Sequence, residues 1–269
     1  MWRLAVLLFS FMVSSVAHSE LVVDNLRVDG QSVPVRLHVD QQAQPAGTVV
    51  LSHGATCLPE PQKYQWTSRI VSWGYNAVLI DHCVKRGATP HMAQRLPDNL
   101  QVEDRIRDYL AVIQWVKQQK FSNGRVAIVG HDRGGEGVLG FLNEAHYGPL
   151  LGLKSGYSKS LVAAVAYYPG CHMGSAGLKI PAVPTLVNHG ELDMLTPASH
   201  CIHYTAGKGG KVENLDVETY PGAHHGFDID TPDEWAKSPR GRVVIFSYND
   251  KQAKKSFDIT KSFLDRYLK

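Results

Sequence analysis

From Thr48 onward, short continuous apolar runs alternate with longer stretches whose apolar positions recur every three to four residues. Thr48–Leu51, Ala77–Ile80, Val126–Val129, Val162–Tyr167 and Thr185–Asn188 are runs of the first kind, the pattern of strands buried on both faces. Asp216–Tyr220 reads as a further strand. Val33–Val39 alternates apolar with polar, as a half-buried strand does, and Pro34 assigns it to a sheet edge. The second kind of stretch predicts four helices. One runs from about Gln62 to Trp73, stopped by Gly74. Another spans Leu100–Gln118, where Val102, Ile106, Leu110, Ile113 and Val116 recur at helical spacing. A third covers Gly134–Ala145, behind a glycine-rich turn. The last covers Gln252–Tyr267, with Phe257, Phe263, Leu264 and Tyr267 on its apolar face. Strand–helix alternation of this kind implies an α/β fold with a mostly parallel sheet and helices on both faces. No Pro/Gly/Ser linker interrupts it, so residues 20–269 read as a single domain.

The first nineteen residues have a different pattern. Met1-Trp2-Arg3 is a short positive start, Leu4–Val13 is apolar except for Ser10, and small residues follow at Ser15, Ala17 and Ser19. That is the form of a secretory signal peptide cut near Ala17 or Ser19. The apolar stretch is short of the ~20 residues a membrane-spanning helix needs, and no later run is long enough. A periplasmic or secreted protein is expected.

Export changes how the four cysteines read. In an oxidising compartment an even number suggests two disulfides, and four cysteines allow three pairings. Cys57–Cys83 and Cys171–Cys201 are preferred, because each pair follows successive strands that should end on one sheet edge. Cys171-His172 and His200-Cys201-Ile202-His203 mix thiols with imidazoles but lack the paired spacing of zinc ligands, so no metal is expected. With 43% hydrophobic and 20% charged residues the chain is too apolar to be disordered, and a net charge of +3 is too small for a nucleic-acid surface.

The candidate chemistry follows three strand ends. Gly130-His131-Asp132-Arg133-Gly134-Gly135 has the outline of a nucleophile elbow, with Asp132 where Ser or Cys usually stands. Asp193 follows a late strand in Gly190-Glu191-Leu192-Asp193. His224 and His225 follow the next strand in Pro221-Gly222-Ala223-His224-His225-Gly226-Phe227-Asp228. Nucleophile, acid, histidine is the chain order of α/β hydrolases. Backbone N–H groups at Ala55, Thr56 and Arg133 are the candidate oxyanion donors. No cofactor is implied, and the expected partner is a small-molecule substrate.

At these positions the sequence resembles the dienelactone hydrolases, especially their exported bacterial relatives. The resemblance covers most of the mature chain. It rests on Leu51-Ser52-His53-Gly54, Asp81-His82-Cys83-Val84-Lys85-Arg86-Gly87, the elbow, Tyr168-Pro169-Gly170-Cys171, Gly190-Glu191-Leu192-Asp193 with Thr196-Pro197, and Tyr220–Phe227. It implies an α/β-hydrolase fold without a large cap and a triad at Asp132, Asp193 and His225. His225 is chosen over His224 because the family's histidine directly precedes Gly-Phe. The departure is Asp132. Gly-His-Asp-Arg-Gly-Gly is similar to the elbow of haloacetate dehalogenases, where the adjacent arginine binds a substrate carboxylate, a role that would fall to Arg133; their next arginine is replaced by Glu136. An aspartate can displace a leaving group from a tetrahedral carbon, whereas its attack on an ester would form a reactive anhydride. Ester or lactone hydrolysis, carbon–halogen or epoxide cleavage, and water activation by Asp132 therefore all stay open. A catalytically inactive binding protein on the same fold is the alternative.

Overall fold

The computed structural model describes residues 20–87, 100–171, 180–206, 211–237 and 243–269. The expected signal segment lies outside them. Among the described residues, no helix is long and apolar enough to cross a membrane.

An eight-stranded sheet runs through the molecule. Its strands are β1 (Glu20–Val23), β4 (Arg36–Asp40), β5 (Ala46–Ser52), β6 (Asn76–Asp81), β7 (Ser122–His131), β8 (Ala163–Tyr167), β9 (Thr185–Gly190) and β10 (Leu215–Tyr220). The short strands β2 (Arg27–Val28) and β3 (Gln31–Ser32) pair beside it. The order across the sheet is β1-β4-β6-β5-β7-β8-β9-β10. From β6 to β10 neighbours are parallel, while β1 and β4 are antiparallel additions. The mostly parallel sheet read from the sequence is therefore present. One detail differs. The expected edge strand starts at Arg36, after Pro34, and lies between β1 and β6, with Leu37, His38 and Val39 all buried. The true edge, β1, carries exposed Leu21 and Val22.

Both faces are covered because successive side chains of a strand point to opposite sides. Val49 and Leu51 join Trp66 and Ile70 of α1 (Glu60–Ser72) and Phe257, Phe263 and Leu264 of the C-terminal helix (Asp250–Leu268). Val50, Val78, Ile80 and Ile128 join Ile106, Tyr109, Val112 and Ile113 of α2 (Val102–Lys117), with Val138 and Phe141 of α3 (Arg133–Leu142). Leu110, expected on the apolar stripe, is only half-buried, whereas Arg105, Asp108 and Tyr109 are buried. The helix expected to reach Ala145 stops at Leu142. Asn143 leaves the helical region (φ −87°, ψ 65°), and α4 (Glu144–Leu151) begins after it. Helix α5 (Ser199–Ala206) and the antiparallel pair β11 (Glu234–Lys237) and β12 (Val243–Phe246) complete the described fold before the last helix, α6.

Candidate active site

The parallel strands end on one edge, and the loops leaving β5, β7, β9 and β10 meet there. Asp132 is the turn between β7 and α3. Its φ of 50° lies in the left-handed region, uncommon for a residue with a side chain, and such strain persists only where the surroundings enforce it. They do so by close packing. A Cβ at Gly130 would collide with the Gly134 carbonyl, and one at Gly134 would meet the Ser52 and His53 carbonyls. Glycine at both positions lets the turn close, and the Asp132 N–H donates to the Tyr167 carbonyl at 3.0 Å.

The turn pushes the carboxyl group into the edge. Asp132 Oδ2 accepts a hydrogen bond from the Ala55 N–H at 2.9 Å. Oδ1 lies 3.8 Å from His225 Nε2, beyond hydrogen-bond distance. The Asp132 side chain is 18% exposed and so reachable from solvent. Thr56, also expected as a donor, is exposed beside Ala55. Arg133 begins α3, and its Nε lies 3.7 Å from Glu136 Oε2.

His225 is buried between the rings of Tyr168 and Phe246, whose centroids lie 4.4 and 5.4 Å from its own. Its Nδ1 is 2.8 Å from Asp193 Oδ2. The N–H groups of Leu195 and Thr196 donate to Asp193 Oδ1, and the Thr196 hydroxyl lies 2.9 Å from Oδ2. Burial alone would lower the His225 imidazole, but the Asp193 charge and hydrogen bond outweigh it and hold the group above its ordinary value. Burial would likewise raise Asp193; the His225 charge and the hydrogen bonds outweigh it and hold Asp193 below its usual range. His224 is half-buried and lies outside this arrangement. Asp132, Asp193 and His225 thus converge, with Ala55 beside the first. A carboxylate held this way can act as a nucleophile or as a base toward water, with a histidine and its acid beside it.

Glu136 lies buried one turn into α3. Burial, then the Asp132 charge, pushes its carboxyl up to about 7. Thr196 and Tyr168, visible in the sequence only as members of the Thr196-Pro197 and Tyr168-Pro169-Gly170-Cys171 motifs and with no role attached, and Phe246, which the sequence does not mark, also contribute to the site.

Cys57 is joined to Cys83 and Cys171 to Cys201. Two clusters have metal-ligand proximity among the described residues: Cys171 with His189 and Cys201, and His53 with Asp81 and Cys83. Each contains sulfur already committed to a disulfide, so neither offers a full thiolate set. His172 lies outside the described residues.

A family model, the dienelactone hydrolase family, matches residues 34–268. The chain belongs to that family. Among curated proteins no sequence matches. A Klebsiella pneumoniae protein classed as a dienelactone hydrolase is 16% identical, with a TM-score of 0.69 over 93% of this chain and 100% of its own. The dienelactone hydrolase from Anabaena variabilis is 14% identical, with a TM-score of 0.62 over 94% and 99%. A dienelactone hydrolase-like promiscuous phosphotriesterase from metagenomic libraries is 17% identical, with a TM-score of 0.65 over 93% and 99%. At these identities the structural likeness speaks for the fold, and the family match makes this dienelactone hydrolase relative a hydrolase.

Proposed function

We propose that this hydrolase cleaves small molecules by attack of Asp132 on a tetrahedral carbon bearing a leaving group, a carbon–halogen bond or the strained C–O bond of an epoxide. The carrying observation is the division of labour within one carboxylate: Oδ2 rests on the Ala55 N–H while Oδ1 is open. Oδ1 would bond to the carbon as the leaving group departs with the electron pair. Oδ2 then becomes the carbonyl oxygen of an alkyl–enzyme ester. His225 Nε2, oriented by Asp193 through Nδ1, takes a proton from water, and the hydroxide attacks Asp132 Cγ. The negative charge of that intermediate falls on Oδ2, where Ala55 N–H already points; its collapse breaks the Cγ–Oδ1 bond, and the alcohol product leaves with Oδ1 and the proton held by His225, restoring the carboxyl group of Asp132. One such donor contributes about 2.7–4 kcal/mol.

The 3.8 Å gap between His225 and Asp132 fits this chemistry. A serine needs a hydrogen bond to the histidine to lose its proton; a carboxylate nucleophile does not, so no such bond is required between Asp132 and His225. Serine-type ester hydrolysis would instead produce an anhydride at Asp132. Arg133, partly exposed beside the elbow, is the candidate contact for a substrate carboxylate. An intact His225–Asp193 pair supports this reading over that of an inactive binding protein. The two disulfides support a periplasmic or secreted setting, with residues 1–19 as the signal.

A single turnover in heavy-oxygen water tests the proposal, using haloacids and epoxides as trial substrates. Label in the Asp132 carboxylate is expected, because water attacks Cγ. Label confined to product would overturn the covalent route in favour of water activated by Asp132.

A further inference from the structure

Beneath the His53–Ala55 loop lies a buried polar network that the reaction above does not use. Arg105, in the middle of α2, is 2% exposed. Its guanidinium donates to the His53 carbonyl at 2.9 Å, to the Gly54 carbonyl at 3.2 Å and to Ser52 Oγ at 3.2 Å. These acceptors are all neutral. A buried cation costs several kcal/mol unless a counter-charge repays it.

The counter-charge lies on the far side of one peptide unit. The Gly54 carbonyl and the Ala55 N–H belong to the same planar trans peptide and so point in opposite directions. Arg105 grips the oxygen, and the N–H is left facing Asp132 Oδ2 at 2.9 Å. His53 grips the same oxygen, its Nδ1 2.8 Å away. The ring's tautomer follows from its other contact: Nε2 accepts the His82 N–H at 3.1 Å, so the proton sits on Nδ1 and is donated to the Gly54 carbonyl. Two donors on one carbonyl polarise the peptide and strengthen its N–H as a donor.

We propose that Arg105 and His53 are positioning residues, which clamp the Gly54 carbonyl so that the Ala55 N–H is presented, fixed and polarised, to Asp132. A chain of side chains holds the clamp. Ser52 Oγ lies 3.0 Å from His82 Nε2, and His82 Nδ1 lies 2.6 Å from Asp108 Oδ2. The Arg86 guanidinium donates to both Asp108 oxygens at 3.0 Å. Serine, histidine and aspartate have triad spacing here, but Ser52 is fully buried and accepts the Tyr109 hydroxyl at 2.7 Å, so it serves as a strut. Tyr109 also reaches the Gly134 carbonyl, tying the loop to the elbow helix. A Cβ at Gly54 would lie 2.8 Å from Asp132 Oδ2, so the loop meets Asp132 along its bare backbone.

The inference rests on the reading of Ala55 as the donor facing the nucleophile, and nuclear magnetic resonance of the ¹⁵N-labelled protein separates the two. The amide of Ala55 is followed in the unsubstituted protein and in the Asp132→Ala, Arg105→Lys and Arg105→Met variants. Asp132→Ala should shift the Ala55 amide upfield; indifference would overturn the donor reading itself. Both Arg105 variants should shift it upfield and speed its hydrogen exchange about tenfold, the loss of roughly one hydrogen bond, while the amides of α2 and β5 move little. Response to Asp132→Ala without response to either Arg105 variant would overturn the clamp alone. So would a uniform shift across α2 and β5 with Ala55 no more affected than they are, the mark of a merely structural arginine. Arg105→Lys keeps the charge but cannot span both carbonyls, and it carries the test if Arg105→Met does not fold.

Discussion

At the scale of single residues, the site sets buried ionisable groups against one another. His225 is held above its ordinary value of 6.5 by Asp193. As a base it works only when neutral, so hydrolysis should fall as pH drops through that raised value, and the acid limb should have its midpoint above 6.5. Asp193→Asn removes the charge that raises it and should move the midpoint down while slowing turnover by about 10⁴-fold, the loss seen when a triad acid is neutralised. A pH–rate profile of the two proteins checks this, and an unmoved midpoint would detach Asp193 from His225. Glu136 shows the opposite balance. Its carboxyl is pushed from 4.5 to about 7, chiefly by burial. The folded state therefore binds the proton more tightly than the unfolded chain, so the associated stability is complete below 4.5 and lost as pH rises through about 7. Glu136→Gln should remove that decline and make the protein more stable at pH 8, by up to about 3 kcal/mol. Urea unfolding at pH 5 and pH 8 measures it, and equal pH dependence in both proteins would dismiss Glu136 as the source.

At the scale of elements, legibility followed burial. Strands β5 to β9 lie within a parallel sheet covered on both faces, so their sequences are unbroken apolar runs bounded by turns. Their ends, where Asp132 and Asp193 sit, could be read with them. Strand β4 starts later than the alternation implies, because Val33 continues the pattern while Pro34 cannot join a ladder. Helix α5 is too short to display a helical period, and β11 and β12 form a separate two-stranded pair in which the apolar run Val243–Phe246 goes unread because its partner, Glu234–Lys237, shows no alternation of its own. Arg105 and Asp108 were invisible for another reason. Charged residues on a helix usually face water, and only the fold shows that these two lie on the buried side of α2, with the Gly54 peptide and His82 as their partners. His53 and His82 were visible as part of motifs, yet their roles depend on tautomers that no sequence displays. The Cys57–Cys83 disulfide belongs at this scale too, closing the chain between the loop after β5 and the end of β6. Replacing both cysteines with serine should cost about 3.5 kcal/mol in the chain-entropy model. Because Cys57 follows the His53–Thr56 loop, the Ala55 amide should also exchange faster. A denaturation midpoint unchanged by the double substitution would show that this disulfide adds nothing to the stability of the fold.

At the scale of the whole molecule, the two disulfides and the N-terminal segment make one prediction together. Each bond closes a segment of similar length, with sequence separations of 26 and 30. Loops of that size contribute about 3–4 kcal/mol apiece in the chain-entropy model. A domain's net stability is typically only about 5–15 kcal/mol, so losing both bonds would consume a large part of it. The stability of the protein should therefore depend on the redox state of the compartment where it folds. If residues 1–19 are the export signal, they direct the chain to an oxidising space where both bonds form. Cleavage near Ala17 or Ser19 removes Arg3, taking the net charge from +3 to +2. Expression of the full chain in a bacterial host should give mature protein in the periplasm, with its N terminus at residue 18 or 20 and no alkylatable thiol. Expression of residues 20–269 in a reducing cytoplasm should give a less stable or aggregated product. Mass spectrometry under non-reducing conditions and thermal unfolding decide between these outcomes. Cytoplasmic protein with four free thiols and an unchanged melting temperature would show that the sheet needs neither disulfide, and an uncleaved N terminus would remove the case for export.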